Sequence, residues 1–127
     1  MRTINKIILH CSDSDLTDHD DIEVVRGWHY DNAWLDIGYH FFINKAGVLQ
    51  YGRPIWMEGA HCARHNHDSI GVCLSGKEYF TNRQFLTMNM LLKKLYKHLK
   101  LSRDEVYLHN YFDENKTCPN FSRDKIK

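Results

Sequence analysis

The sequence predicts an α/β protein: one domain, residues 1–127, with a mixed central β-sheet flanked by α-helices. Three observations carry that expectation. Short β-rich runs (INKIILH, YHFFI, SIGVCL and VYL) alternate with two stretches of helical periodicity. A length of 127 residues suits one hydrophobic core and is too short for two. The composition, 43% apolar and 26% charged, is that of a globular domain and not of a disordered or fibrous chain.

In chain order, residues 4–10 form an apolar strand ending at His10, followed by an Asp- and Ser-rich loop. Asp20 with Glu23 three positions on reads as the cap of a helix over about 21–32, with Ile22, Val25 and Trp28 or His29 on one face. Tyr39–Ile43 and Val48–Tyr51 read as a hairpin, with Lys45-Ala46-Gly47 as the turn and Gly47 supplying a positive φ. Residues 52–68 lack periodicity and are rich in Gly, His and aromatics, as expected of a loop lying over a functional region. Ser69–Leu74 is a buried strand closed by Ser75-Gly76. Thr81 and Gln84 form a capping box for a helix over 82–99, whose stripe Phe85, Met88, Leu91, Leu92, Leu95 and Leu99 faces the core while its lysines face solvent. A strand at 106–108, the loop HNYFDENKTCP and a short final helix complete the chain.

A formal net charge of +1 supplies no basic field for nucleic acid. No run approaches the roughly 20 apolar residues of a membrane span, so no membrane insertion is expected. MRTINKIILHCSDSD lacks a small-residue cleavage site and reads as a first strand, not a signal peptide, so synthesis in the cytoplasm is expected. Cys11, Cys62, Cys73 and Cys118 are widely spread with no CxxC pair, which argues for reduced, packed thiols over a disulfide framework.

Cys118 is set apart by its neighbours. The apolar runs Ile7-Ile8-Leu9 and Val106-Tyr107-Leu108 each deliver a histidine, His10 and His109, at a strand end, and Lys116 and Cys118 follow within ten residues of the second. Two imidazoles and a thiolate with an open fourth position is how a catalytic zinc site is built. The nine-residue spacing of His109 and Cys118 matches no common zinc-finger register. By spacing alone, a surface histidine and a half-buried thiol remain the alternative.

Four segments in order, LHCS at 9–12, WLDIGYHFFINKAG at 34–47, GAHCARHNHDSIGVCLSG at 59–76 and KTCPNF at 116–121, together resemble the type 2 zinc-dependent N-acetylmuramoyl-L-alanine amidases. The small phage amidases and the peptidoglycan recognition proteins share that fold. The resemblance implies Zn²⁺ held by His10, His109 and Cys118, with Tyr39 and Lys116 as catalytic helpers. It also implies His61 and Asn66 beside the substrate, and Trp56 in the irregular loop is a candidate wall of a sugar or peptide groove. Phage members commonly have one residue fewer between the second histidine and the cysteine. Either the loop bulges by one residue, or Asn110 takes the usual register and His109 reaches in beside it; histidine is the better ligand, which keeps His109.

The activity implied is hydrolysis of the amide between N-acetylmuramic acid and L-alanine in bacterial peptidoglycan. No HExxH glutamate is present, so Tyr39 is the candidate to orient or deprotonate the water, and Lys116 the candidate to stabilise the oxyanion. Recycling amidases of soluble muropeptides usually carry aspartate as third ligand, so Cys118 favours a lytic, endolysin-like enzyme that reaches the wall after release or export. The other readings are a non-catalytic peptidoglycan-binding module and a structural zinc site closed by Cys11 or His40. His29 and His40 read as polar core residues, Trp34 as core, and Arg64 as a solvated residue or a partner for a peptide carboxylate. A monomer without a separate wall-binding domain is expected, and a protein partner such as a polymerase or an immunity protein is left unassigned.

Overall fold

Alternation along the strands builds the two layers of the core. The computed structural model describes residues 2–31 and 37–127, so the expectation for Trp34 lies outside the described residues. Five strands form one sheet: β1 (Lys6–Cys11), β2 (Phe41–Ile43), β3 (Leu49–Tyr51), β4 (Ser69–Leu74) and β5 (Val106–Leu108). Their spatial order is β3-β2-β4-β1-β5, with β1 parallel to β4 and β5, β2 parallel to β4, and only β3 antiparallel. The helices are α1 (Ile22–Asp31), α2 (Asn82–Leu99) and a single turn, α3 (His109–Phe112).

Ile7 and Leu9 of β1, Phe41 and Ile43 of β2, and Ile70, Val72 and Leu74 of β4 point to one face, where Met88, Leu91, Leu92 and Leu95 of α2 cover them. Each is at most 8% exposed, so their burial is the main stabilising term of the fold. Phe42 and Cys73 point to the opposite face, against Ile22 and Val25 of α1, Ile37 and the partly buried Trp28 and Tyr39. Both faces of a mostly parallel sheet are thus covered, which explains why SIGVCL reads as a continuous apolar run.

The α2 capping box forms as expected: Thr81 Oγ1 accepts from Gln84 N, and Gln84 Oε1 accepts from Thr81 N. Gln84 is itself buried and donates to the carbonyls of Ile43 and Ser75, pinning the helix start to the ends of β2 and β4. The hairpin turn also forms, with Gly47 at φ +83°.

Three expectations need correction. Asp20 does not cap α1; its carboxylate accepts from Lys45 N, and Asp21, adjacent to the first helical residue, accepts from Glu23 N instead. The segment after β5 is not all loop, because HNYF winds into α3, held where Asn110 N donates to Cys118 O. The final helix is only a 3-10 turn, Arg123–Lys125, started by Ser122 and anchored by buried Ile126. No helix among the described residues is long and apolar enough to cross a membrane.

Candidate metal centre

The parallel register of β1 and β5 brings the two histidines together. Leu9 pairs with Leu108, so His10 and His109 are the next residues along adjacent strands, and their ring centroids lie 4.4 Å apart. Cys118 arrives from the loop after α3. Its Sγ accepts from Cys11 N at 3.1 Å, just where β5 has ended and the edge of β1 would otherwise lack a partner. The ligand atoms of His10, His109 and Cys118 all lie within 4.8 Å of one another. His109, and not Asn110, is the residue that reaches in.

The surroundings keep every donor neutral. Burial lowers the pKa of His10 well below the ordinary imidazole value, with His61 and His109 adding to the effect. His109 is also lowered, by burial first and by Lys116, with Asp113 opposing. The hydrogen bond between the Cys118 and Cys11 thiols, together with burial, holds Cys118 protonated in the absence of a cation. A dication reverses that preference and favours the thiolate. Among the described residues no carboxylate joins the donor cluster.

The residues present fit a metal. His109 Nδ1 is buried without a hydrogen-bond partner and belongs to the residue that stands with His10 and Cys118, so it is free to take a cation. Imidazole nitrogens with one thiolate suit Zn²⁺ and do not suit Mg²⁺ or Ca²⁺, which prefer oxygen donors. The fourth position is not closed by His40: its Nδ1 accepts from Gly71 N and its Nε2 donates to Met57 O. Cys11 is not in the donor cluster either; its thiol is hydrogen-bonded to Cys118.

The other expected site residues fall in two groups. Tyr39 lies beside the donors, its ring centroid 5.1 Å from that of His10, and its hydroxyl is hydrogen-bonded to the Cys73 thiol. Burial, with the nearby thiols, pushes its pKa well up, so it is a neutral phenol. Lys116 is exposed on the loop between α3 and Cys118, near enough to His109 to influence it electrostatically.

His61 and Asn66 face inward, and Trp56 lines a cleft that contains none of the three donors. His61 is only 7% exposed and stands behind His10, Nδ1 to Nε2 at 2.9 Å. Its ring is packed between backbone segments: a Cβ built on Gly59 or Gly71 would lie 2.5 or 2.6 Å from it. The Asn66 side chain faces inward, and its Oδ1 accepts from the amides of His61 and Cys62 and so closes that loop. Trp56 is 66% exposed but lines a separate cleft with Arg2, Ile4 and Leu99. The Arg2 guanidinium, bonded to Ile55 O, and Arg53, bonded to Ile37 O and Glu58 O, hold the 53–58 segment in that position.

The cleft that does open beside His109, of about 520 Å³, is lined by Cys62–His65 on one side and Tyr111–Asn115 on the other. His65 and Phe112 join the two sides, with ring centroids 4.0 Å apart. Reasoning from the sequence missed Phe112 and the support given by Ser69 and Gly71. Gly71 carried a readable signal, since a glycine inside an apolar strand often marks a close approach.

Residues 1–121 match the family model described as N-acetylmuramoyl-L-alanine amidase. An endolysin of Enterobacteria phage T3 is 33% identical over 127 residues, covering 94% of this chain and 82% of the relative. Among solved structures, the N-acetylmuramoyl-L-alanine amidase LysC from Clostridium intestinale URNW superposes with a TM-score of 0.84 at 25% identity, covering 93% of this chain and 77% of LysC. The complex of tracheal cytotoxin with the ectodomains of peptidoglycan recognition proteins LCa and LCx gives a TM-score of 0.80 at 25% identity, covering 94% of this chain and 77% of that one. Sequence and fold agree, and the chain belongs to the N-acetylmuramoyl-L-alanine amidase family.

Proposed function

We propose that this amidase is a lytic, zinc-dependent enzyme that cuts the amide between the lactyl group of N-acetylmuramic acid and L-alanine in polymeric peptidoglycan. The observation that carries the zinc reading is the partnerless, buried Nδ1 of His109, aimed into a cluster with His10 and Cys118. The lytic reading is supported by the phage T3 relative, an endolysin at 33% identity, and by a cysteine at the third ligand position. Peptidoglycan as the ligand is supported by the matched fold of recognition proteins solved with tracheal cytotoxin.

His10, His109 and Cys118 would hold a zinc ion, which would supply Lewis acidity and bring the pKa of a bound water down to about 7. The protein's own groups do the rest. Hydrolysis joins the water oxygen to the carbonyl carbon, breaks the C–N bond and returns a proton to the departing alanine amine. Lys116 is the cation that stabilises the charge developing on the carbonyl oxygen, a role supported by its electrostatic influence on His109. Tyr39 is a neutral phenol, which makes it a donor that orients and not a base that abstracts. The cleft beside His109 receives the peptide side of the substrate.

The test is digestion of purified peptidoglycan, with and without a chelator, read by mass spectrometry. Free stem peptides beginning at L-alanine, lost with chelator and restored by zinc, are the expected products. Zinc-loaded protein that binds the wall and releases nothing would move the assignment to a recognition module.

A further inference from the structure

We infer that His61 and Ser69 form a buried relay that fixes the tautomer of His10 and so presents its Nδ1 to the metal. The inference rests on the zinc reading above and goes beyond it by assigning work to two residues outside the donor set. A count of hydrogens fixes where each proton sits. Ser69 Oγ lies 2.6 Å from the carbonyl oxygen of His65, which can only accept, so the single hydroxyl proton of Ser69 is spent there. Oγ also lies 3.1 Å from His61 Nε2, and with its proton committed it can only accept in that contact. His61 therefore carries its proton on Nε2, and its Nδ1 presents a lone pair. That lone pair faces His10 Nε2 at 2.9 Å, so His10 carries its own proton on Nε2. The nitrogen left bare on His10 is Nδ1.

The same ring atom of His109, Nδ1, is buried with no hydrogen-bond partner and is therefore free to meet a metal. Two histidines from adjacent strands thus offer the same ring atom, a symmetry that the sequence alone does not suggest. The relay is enclosed: His61 and Ser69 are 7% and 0% exposed, so water does not compete for these hydrogen bonds. Its shape is set by backbone, with Gly59 and Gly71 against the ring and Asn66 holding the amide of His61. Metal-bound histidines usually donate their second N–H to a carboxylate or a carbonyl. Here a neutral imidazole takes that part, which orients His10 without adding a negative charge beside the metal.

The test has one spectroscopic arm and one binding arm. Long-range ¹H–¹⁵N correlation of the histidine rings in the wild-type protein, before and after zinc is added, should show His61 as the Nε2–H tautomer in both states. It should show His10 with its proton on Nε2 and, with zinc, the metal shift on Nδ1. Zinc affinity by chelator competition should fall about 10- to 100-fold in His61→Leu, which removes the acceptor. His61→Asn, which keeps an acceptor where Nδ1 stood, should recover most of it. Ser69→Ala should release the constraint and show a second His61 tautomer. His61 protonated on Nδ1, or wild-type zinc affinity in folded His61→Leu, would overturn the relay. Failure of the wild-type protein to bind zinc would instead refute the proposed metal, while the tautomers of the metal-free protein would still decide the relay.

Discussion

Gly71→Ala adds one methyl group in the middle of β4, and its effect can be worked out from the contacts it would make. Gly71 does not have a positive φ, so the strand backbone accepts alanine and the whole effect comes from the side chain. The new Cβ would lie 2.6 Å from His61 Cγ, 2.7 Å from Cδ2 and 2.9 Å from Nδ1. Carbon contacts relax near 3.5 Å, so the ring must retreat by about 0.9 Å. Gly59 also packs against that ring, at Cδ2, which restricts the space it can move into. Half of that shift along the bond to His10 would stretch a 2.9 Å hydrogen bond to about 3.4 Å, where little of it remains. Overpacking of this kind costs about 1–3 kcal/mol, a fall of about 4–12 °C in Tm for a domain of this size. Loss of the orienting bond should weaken zinc binding about 10- to 100-fold. The assays are thermal unfolding of the metal-free protein and chelator competition for zinc. A variant with unshifted Tm and wild-type zinc affinity would show that His61 neither fills that space nor orients His10.

The remaining predictions concern the donors, the helpers and pH. Cys118→Ser should lose zinc and amidase activity together, and retained zinc stoichiometry by elemental analysis would remove Cys118 from the ligand set. Lys116→Ala and Tyr39→Phe should bind zinc normally while kcat falls about 10²-fold, and unchanged turnover in both would end the helper assignment. The buried His40 has its pKa lowered to about 4, first by desolvation and then by Arg2 and Arg53, with the bond to Met57 O opposing. Because the folded value lies below the unfolded one near 6.5, the unfolded chain takes up this proton first, and stability is lost as pH falls from about 6.5 to about 4. That interval corresponds to about 3 kcal/mol from His40, and His10 and His61, also lowered by burial, act in the same direction. Denaturant midpoints measured from pH 7 to pH 4 should fall accordingly, and a flat profile would contradict the burial of these rings.

What was legible in the sequence was whatever local chemistry decides. Thr81 and Gln84 announce the start of α2, and its apolar stripe announces the face it buries, because a helix carries its own period. His10, His109 and Cys118 were legible because a strand end and a Cys-Pro loop are local features that the family resemblance ties together. What was not legible shares a different cause. Asp20 and Asp21 are both good caps by residue type, and the choice between them is made by Lys45, 25 residues away, whose amide takes Asp20. Asn66 and His61 look like surface polar residues in a Gly- and His-rich loop, and only their partners show that they are internal braces. The position of Trp56 was not legible because the direction of an irregular loop is set by distant anchors, here Arg2 and the Ile37 carbonyl that accepts from Arg53.

The division of labour in the sheet explains why so small a domain can hold several neutral histidines together. Along β1 the odd positions Ile7 and Leu9 enter the packed layer beneath α2, while His10 faces the other way towards Tyr39 and His61. β4 repeats the arrangement, with Ile70, Val72 and Leu74 beneath α2 and Gly71 turned towards the histidines, where the lack of a side chain makes room for an imidazole. A one-residue slip of β1 would bury His10 in an apolar layer and turn Leu9 towards the donors. That slip is opposed on both sides, by six paired residues on β4 and three on β5. The α2 face therefore does more than stabilise the fold. By fixing the register it decides which face His10 occupies, and the parallel pairing with β5 then places His109 beside it. The polar face can consequently keep an unpartnered nitrogen and a chain of uncharged rings, groups that add little stability of their own, because the opposite face has already settled where they must stand.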